Sequence, residues 1–166
     1  TDGDLVADDR PEISGTTEPG ATIEISVDDG TPVTITADEN GDFTFRPTDP
    51  LAEGDHDFEV TARDEAGNET TESVTLEVDT TPPALTIDSP AEGDEVDADV
   101  TSTVRGTADP GTLVRVFVNG TEVGTATADE NGQWAVDIEA GTIGSGTTVI
   151  DARATDEAGN LGAATV

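Results

Sequence analysis

The sequence predicts an all-β protein made of two tandem β-sandwich units. Apolar residues alternate with polar ones over short windows, which is the period of a strand with one buried face. Turn dipeptides such as Pro-Gly, Asn-Gly and Gly-Asn separate these windows, and no window has helical periodicity. The same ordered set of runs occurs twice, and each copy has room for about seven short strands, as a sandwich requires.

Three segments of the first half recur in the same order in the second half. The matched pairs are residues 15–20 with 106–111, 37–41 with 128–132, and 62–68 with 154–160. The first two pairs are separated by the same number of residues. The third pair is separated by one residue more, as a single loop insertion would give. Ordered matches of this kind indicate a duplicated structural unit.

The boundary between the copies is predicted at residues 79–83, where two prolines end one strand and stiffen the entry to the next. The first unit is therefore expected to span residues 1–79, with a short or truncated first strand in its Asp-rich lead. The second is expected to span residues 80–166, with a truncated last strand.

The core of each unit is predicted from the residues that alternate on one face of each strand. Two neighbouring strands of the first unit contribute aromatic residues, and the second unit carries tryptophan and valine at the corresponding places. The predicted core residues are Ile23, Ile25, Val27, Phe43, Phe45, Phe58, Val60 and Ala62, and then Val114, Val116, Val118, Trp134, Val136, Ile150, Ala152 and Ala154.

The charge balance excludes nucleic acid as a partner. The chain has 38 acidic residues, six arginines and no lysine, so its formal net charge is −32, and such a surface repels phosphate. It has no cysteine, which removes disulfides and thiolate metal sites. Because no apolar run approaches the roughly 20 residues that span a bilayer, we expect no membrane insertion.

The sequence gives no support for an enzyme. The single histidine, His56, lies in a charged stretch, and a Ser-His-Asp arrangement could be drawn around it, but we interpret it as a surface residue. Carboxylates occur throughout the chain, so a pair of them discriminates nothing. We therefore expect no catalytic residues.

Four runs of sequence, taken together, resemble the bacterial Ig-like repeats of giant adhesins and biofilm-associated proteins. They are residues 13–23, 78–83, 128–134 and 154–160. The resemblance implies two tandem immunoglobulin-like sandwiches in a long secreted or cell-surface protein with a structural and adhesive role. It also implies a monomer whose partners are neighbouring repeats, with host-surface, glycan or biofilm-matrix ligands bound through other domains. Calcium bound between or within the repeats is a further expectation of the family.

The acidic turns provide candidate calcium ligands, because antiparallel strands of alternating direction bring every second turn to the same end of a sandwich. In the second unit these turns should share the end that carries the linker residue Asp79. The same reasoning places Glu18, Asp38, Asp64 and Asn68 of the first unit beside Asp8 and Asp9 at its N-terminal end. The candidate ligands are Asp79, Asp109, Asp129, Asp156 and Asn160, and then Asp9, Glu18, Asp64 and Asn68.

Two interpretations of these turns remain open. Asp, Asn and Gly are the residues that tight turns use, because their side chains cap turn amides, and this explains any single loop. For the convergence of several loops we favour a hard cation such as calcium, which prefers carboxylate and amide oxygens. The chain has no EF-hand loop, so such a site would be assembled from several turns.

Two alternative functions also remain. An accessory carbohydrate-binding or spacer module of a secreted enzyme would need an exposed aromatic platform, and Phe117 is the one aromatic residue outside the predicted core. A lysine-free acidic surface also suits a salt-adapted spacer that binds no specific calcium. Monovalent salt acts by screening, whereas specific calcium acts at stoichiometric sites, so the two can be separated by experiment.

Overall fold

A computed structural model describes residues 3–166 and divides into two compact units, Thr1–Thr80 and Thr81–Val166. The described residues form strands joined by turns and contain no helix. Each unit is a β-sandwich, as the alternating pattern predicted.

The first unit contains seven strands in two sheets. The larger sheet has the order β1-β7-β6-β3-β4, and the smaller pairs β2 with β5. Neighbouring strands are antiparallel except that β1 runs parallel to β7. The strands are β1 Asp4–Val6, β2 Ile13–Thr16, β3 Thr22–Val27, β4 Val33–Thr36, β5 Asp42–Phe45, β6 Gly54–Arg63 and β7 Glu69–Val78.

The second unit contains six strands, all antiparallel. Its larger sheet has the order β10-β9-β12-β13, and its smaller sheet pairs β11 with β8. The strands are β8 Ser102–Thr107, β9 Leu113–Val118, β10 Thr121–Thr127, β11 Gln133–Ile138, β12 Ile150–Thr155 and β13 Leu161–Thr165.

A seventh extended segment, residues 84–89, lies beside β8 without forming a full strand. It makes isolated antiparallel bridges, Leu85 with Ala108 and Ser89 with Arg105. Pro83 and Pro90 flank it, and proline cannot donate to a ladder, which limits regular pairing here. This segment takes the place of the first predicted strand of the second unit.

The two cores confirm the predicted alternation, although the second is better closed. In the second unit Val114, Val116, Ala152 and Ala154 are all at most 2% exposed. The core cluster of the first unit has a fully buried centre that includes Ile23, while Phe43, Phe45, Val60 and Ala62 pack against it only partly buried.

A glycine faces an aromatic ring across the small sheet of each unit. Gly15 is paired with Phe43, and Gly106 is paired with Trp134. A Cβ atom on Gly15 would lie 2.7 Å from Cζ of Phe43, and one on Gly106 would lie 2.7 Å from Cζ2 of Trp134. The ring therefore covers the space that a side chain at the glycine would need, which explains why glycine and an aromatic residue recur together.

Candidate functional site

The acidic turns of the second unit meet at one end of its sandwich, as strand direction predicted. The turn after β8 and the turn before β11 are joined by the hydrogen bond from Ala108 N to Gly132 O, 2.8 Å. Asp109 Oδ2 accepts a 2.9 Å bond from Ala84 N, so the start of the unit reaches the same end. The turn between β12 and β13 follows the Thr155–Leu161 pair at this end.

The aspartates of these turns cap the turn backbone. Asp129 Oδ1 accepts hydrogen bonds from the amides of Asn131 and Gln133, at 2.8 and 2.9 Å. Asp156 Oδ1 accepts from the amides of Gly159 and Asn160, both at 2.8 Å, and its Oδ2 accepts from Asn160 Nδ2 at 2.9 Å. Partial burial raises the pKa of Asp156, but the bonds from Asn160 and Gly159 outweigh it and lower the pKa below 3.8.

The first unit repeats the same capping. Asp38 Oδ1 accepts from the amides of Asn40 and Asp42, and Asp64 accepts from both the amide and the side chain of Asn68. Bonds from the Asp42 and Asn40 amides lower the pKa of Asp38, and the Asn68 side chain and amide lower that of Asp64. Turn capping thus accounts for the position of each of these carboxylates.

The expected position of Asp8 and Asp9 beside the turns that contain Glu18, Asp64 and Asn68 is wrong. Because β1 runs parallel to β7, it ends where β7 ends, and Asp79 N donates to Val6 O at 3.0 Å. The expectation assumed that every strand reverses direction, and a parallel first strand breaks that rule.

Asp8 and Asp9 therefore lie at the opposite end of the first unit and have their own partners. Arg46 contacts Asp8 at 3.0 Å, and Leu51 N donates to Asp9 O at 2.8 Å. The Arg10 amide and the Arg46 guanidinium hold the pKa of Asp8 below 3.8 despite an opposing contribution from burial. Asp79 lies at this end of the first unit, directly after β7.

As arranged, the acidic turns do not fit a metal site built from side chains. Among residues 3–166, no three acidic or histidine side chains are grouped so that they could hold a metal ion. Both carboxylate oxygens of Asp64 and Asp156 accept hydrogen bonds within their own turns. A calcium ion would have to replace some of these bonds or use backbone carbonyls and water as ligands.

His56 is buried, so the interpretation of it as a surface residue is wrong. It is 9% exposed and lies on the inward face of β6, two residues before Phe58. Its Nδ1 lies 2.6 Å from Asp28 Oδ2, and its Nε2 lies 2.8 Å from Ala52 O. Since both partners are acceptors, the arrangement suits an imidazolium that donates from both ring nitrogens.

The pKa values of this pair move in opposite directions. Burial alone would lower the pKa of His56, but the bonds to Ala52 O and Asp28 and the charges of Asp28 and Asp55 raise it above 6.5. Burial would raise the pKa of Asp28, but the bonds from His56 and the Asp57 amide lower it below 3.8. When His56 is protonated, the two side chains form an ion pair within the first unit.

The one aromatic residue outside the predicted core does not form an open platform. Phe117 is partly buried, and the guanidinium carbon of Arg153 lies 4.5 Å from the centre of its ring. This cation–π contact covers a face that a sugar ring would need for stacking. Among the described residues no large aromatic side chain is exposed.

Family models match both units. A model described as a bacterial Ig-like domain matches residues 1–80, and one described as a bacterial Ig domain matches residues 89–166. The chain belongs to the bacterial Ig-like domains. The predicted resemblance and the predicted tandem fold are both confirmed by these matches.

Solved structures resemble this pair of bacterial Ig-like domains along almost its whole length. Fibronectin(III)-like modules of Clostridium thermocellum CbhA share 16% identity at a TM-score of 0.59, covering 99% of this chain and 88% of that one. A Ca2+-stabilized adhesin with which an Antarctic bacterium binds ice shares 26% identity at a TM-score of 0.48, covering 97% and 45%. A tetra-tandem repeat from the extending region of a large adhesion protein shares 23% identity at a TM-score of 0.47, covering 93% and 44%.

The chain thus spans less than half the length of these two adhesin structures. No curated protein matches it. Among residues 3–166 there is no helix that is long and apolar enough to cross a membrane.

Proposed function

We propose that these two bacterial Ig-like domains form a structural and adhesive repeat segment of a long secreted or cell-surface bacterial protein. Neighbouring repeats are its partners, and host-surface, glycan or biofilm-matrix ligands bind through other domains of the parent protein. The chain itself acts as a monomeric spacer that carries no catalytic group.

The observation that carries this proposal is that aspartates at matching positions of the two units cap turns. Asp38 and Asp129, and likewise Asp64 and Asp156, occupy matching turns and hydrogen-bond the amides of those turns. What the duplication preserves is therefore turn geometry and core packing, which is what a module used many times in series needs. The high density of carboxylates keeps such a module soluble.

The spacer role is tested by measuring ligand binding and protease resistance of the intact chain. We expect a glycan array to show no binding at submillimolar concentration, and limited proteolysis to leave each of the two sandwiches intact. Submillimolar binding of an oligosaccharide would contradict the spacer role and favour the carbohydrate-binding module.

Calcium that rigidifies the repeats is a separate part of the proposal. Asp109, Asp156 and Asn160 supply carboxylate and amide oxygens at one end of the second unit, and their turns meet there. A calcium ion at this end would have to compete with the hydrogen bonds between Asp156 and Asn160 within their turn. Extracellular modules bind calcium with Kd values of roughly 10⁻⁴–10⁻³ M, so about tenfold excess would stabilise a site by about 1.4 kcal/mol.

Isothermal titration calorimetry in about 0.15 M KCl tests the calcium part. We expect saturable heat with CaCl₂ and no matching heat with KCl at equal ionic strength. The Asp156→Asn variant keeps an oxygen for the turn amides but loses the charge, so it should keep the fold and weaken calcium binding. If no calcium binds at concentrations up to several millimolar, the calcium proposal is contradicted and the salt-adapted acidic spacer is favoured.

A further inference from the structure

The first unit has an open groove between the edges of its two sheets. The groove has a volume of about 1040 Å³ and lies between β2 and the first part of β7. Phe43, Val60, Ala62 and Val74 line it. In the part of the chain that the structure describes, β2 pairs only with β5, and the pairing of β1 with β7 is confined to Leu76–Val78.

The corresponding place in the second unit is filled by residues 84–89. Thr86 N donates to Thr107 O at 2.8 Å, and Asp88 N donates to Arg105 O at 2.7 Å. Arg105 N in turn donates to Ser89 O at 2.9 Å. The segment is thus held along the outer edge of β8 by backbone bonds.

The side chains of this segment also close the core of the second unit. Leu85 and Ile87 pack against the hydrophobic cluster from the edge. Ala152 and Ala154 belong to that cluster and are 0% and 2% exposed. Their counterparts in the first unit, Val60 and Ala62, are only partly buried and line the groove.

In the second unit, backbone groups of β8 hold residues 84–89. The duplicated sequence shows which backbone groups of β2 correspond to them. Thr16 and Ser14 match Thr107 and Arg105 through the common offset of the Gly-Thr runs. The pairing with the neighbouring strand is also the same, since Ser14 lies opposite Thr44 as Arg105 lies opposite Ala135. The outward N–H and C=O groups of Ser14 and Thr16 therefore face the groove.

Glycine packing shows the same difference between the units. A Cβ atom on Gly106 would overlap the carbonyl oxygen of Thr86, because the segment lies directly over it. The three atoms nearest to a Cβ atom on Gly15 all belong to the ring of Phe43, at 2.7, 2.8 and 3.6 Å. The small residue that allows close approach of a strand is present in both units, but the described residues supply that strand only in the second.

The charge of the groove differs from that of the filled site. Among the described residues its lining includes no basic residue and five acidic ones, namely Asp4, Asp8, Glu12, Glu18 and Glu72. Arg46, which lies outside the lining, contacts Asp8 and Glu12, so Glu18 and Glu72 contribute most to the negative charge available to an occupant. Glu72 stands where the second unit has Ala164, and Thr70 stands where it has Gly162, over which Pro83 packs closely. An occupant would therefore pair with β2 rather than approach β7 closely, and a basic residue would complement its surroundings.

We propose that this groove binds an extended segment of a separate partner protein, which lies antiparallel to β2 and is held by β-strand addition. The occupant carries apolar side chains at two alternate positions, as Leu85 and Ile87 do, and a basic residue beside them. Main-chain bonds to Ser14 and Thr16 supply affinity, and the apolar side chains cover Val60 and Ala62.

A peptide with the sequence of residues 83–90 is the probe, in its natural form and with Asp88→Lys. Each peptide is labelled with a fluorophore and titrated with the full chain, and the site is mapped by amide chemical shifts and hydrogen exchange. We expect the peptides to bind and to protect the amide of Ser14 from hydrogen exchange. The Asp88→Lys peptide should bind about threefold more tightly than the natural peptide, and this preference should disappear at high salt.

Two control peptides test the mode of binding without changing the protein. N-methylation of the Thr86 and residue-88 amides removes the donors to Thr16 O and Ser14 O and should weaken binding at least about tenfold. Replacing Leu85 and Ile87 by aspartate should abolish it, because the apolar contacts are lost.

Two protein variants test the charge of the groove. Glu72→Ala restores the residue type of the second unit and should remove the preference for the Asp88→Lys peptide. Glu77→Ala is the matched control, because Glu77 is exposed between the buried residues Leu76 and Val78 and does not line the groove. It removes the same charge and should leave that preference unchanged.

Three outcomes of the peptide experiments would overturn the proposal. The first is that neither peptide binds at concentrations up to about 5 mM, well above the Kd of weak strand-addition sites. The second is that the N-methylated peptide binds as tightly as the unmethylated one. The third is that the amide chemical shifts change only at residues outside the groove. Concentration-dependent self-association that protects Ser14 and is not displaced by peptide would also overturn it, since the occupant would then be a second copy of the chain.

Discussion

At the scale of single residues, His56 links the stability of the first unit to pH. Its two ring nitrogens face a carboxylate and a carbonyl, and its side chain is 10% exposed. The alternation His56, Phe58, Val60 places it on the inward face of β6. The surrounding acidic residues suggested an exposed loop instead, so the period of the strand was the better guide than local polarity.

The first unit should lose stability as pH rises above about 6.5. Because the pKa of His56 is raised in the folded state, its contribution is fully present below the unfolded value of 6.5 and is lost as pH rises through the folded value. The chain has one histidine and no cysteine, tyrosine or lysine, so no other side-chain type has an ordinary pKa in this pH range. Urea midpoints followed by NMR of first-unit amides measure the loss.

The Asp28→Asn variant is the control for this prediction, since it removes the charge that faces Nδ1. It should lower the folded-state pKa of His56, read from the ring proton shifts, and flatten the pH dependence. An apparent pKa of His56 at or below 6.5 in the wild-type protein would contradict the ion pair.

At low pH the dependence of stability on pH has the opposite sign. The ionised carboxylate of Asp28 stabilises the fold above pH 3.8, and its contribution is lost as pH falls through its lowered pKa.

Trp134→Ala should destabilise the second unit by about 3–5 kcal/mol, because the side chain is 3% exposed and its removal leaves a large cavity. Trp134→Phe should cost much less. Among residues 3–166 the buried Nε1 of Trp134 has no hydrogen-bond partner, so the replacement also removes an unsatisfied donor. Phe43 holds the matching place in the first unit. Denaturant unfolding followed by circular dichroism measures both costs, and equal costs for the two variants would contradict this prediction.

At the scale of elements, the acidic turns could be predicted from the sequence, but their partners could not. The matched runs located the turns at Asp38, Asp64, Asp129 and Asp156, and strand direction placed those of the second unit at one end. Which oxygen caps which amide depends on the turn backbone. Calcium ligation and turn capping use the same residue types, so composition alone could not separate them.

Asp156→Ala should lower the free energy of unfolding of the second unit by about 1 kcal/mol, the usual net value of a lost hydrogen-bond cap. It removes the acceptor for the Gly159 and Asn160 amides. Asp156→Asn should cost less, because one oxygen remains for those amides. Thermal unfolding in the presence of EDTA measures the cost without calcium, and no loss in the alanine variant would contradict the capping role.

The parallel pairing of β1 with β7 was the element that sequence reasoning missed. The lead contains the apolar pair Leu5 and Val6, but three residues are too few for a periodic pattern. Its direction follows from long-range pairing with the end of β7, which no local signal encodes. The error moved Asp9 to the wrong end of the first unit.

At the scale of the whole molecule, the duplication made the fold predictable. Each half confirmed the strand assignment of the other, and the turn dipeptides marked where strands end. The difference in core closure between the halves could not be seen this way. It depends on residues 84–89, whose flanking prolines obscure a strand pattern in the sequence.

The net charge of −32 should make thermal stability depend on monovalent salt. Raising KCl from about 0.1 M to about 1 M shortens the Debye length from about 10 Å to about 3 Å, which weakens repulsion among the carboxylates. We therefore expect the melting temperature to rise with KCl, as measured by circular dichroism in EDTA. Sucrose at equal osmolality is the control for general exclusion effects, and a melting temperature that falls with KCl would contradict the charge argument.

The parallel alignment of β1 and β7 also determines how the first unit would respond to a stretching force. These strands lie at the two ends of the unit's chain, and they are joined side by side from the Gly3–Thr75 bond to the Asp79–Val6 bond. Tension applied to the chain on either side of the unit pulls the two strands in opposite directions along their length. The bonds between them are then loaded in shear, so they must break together instead of one at a time. Because forced unfolding is governed by the unfolding rate, this arrangement favours mechanical resistance, a property useful in a tether.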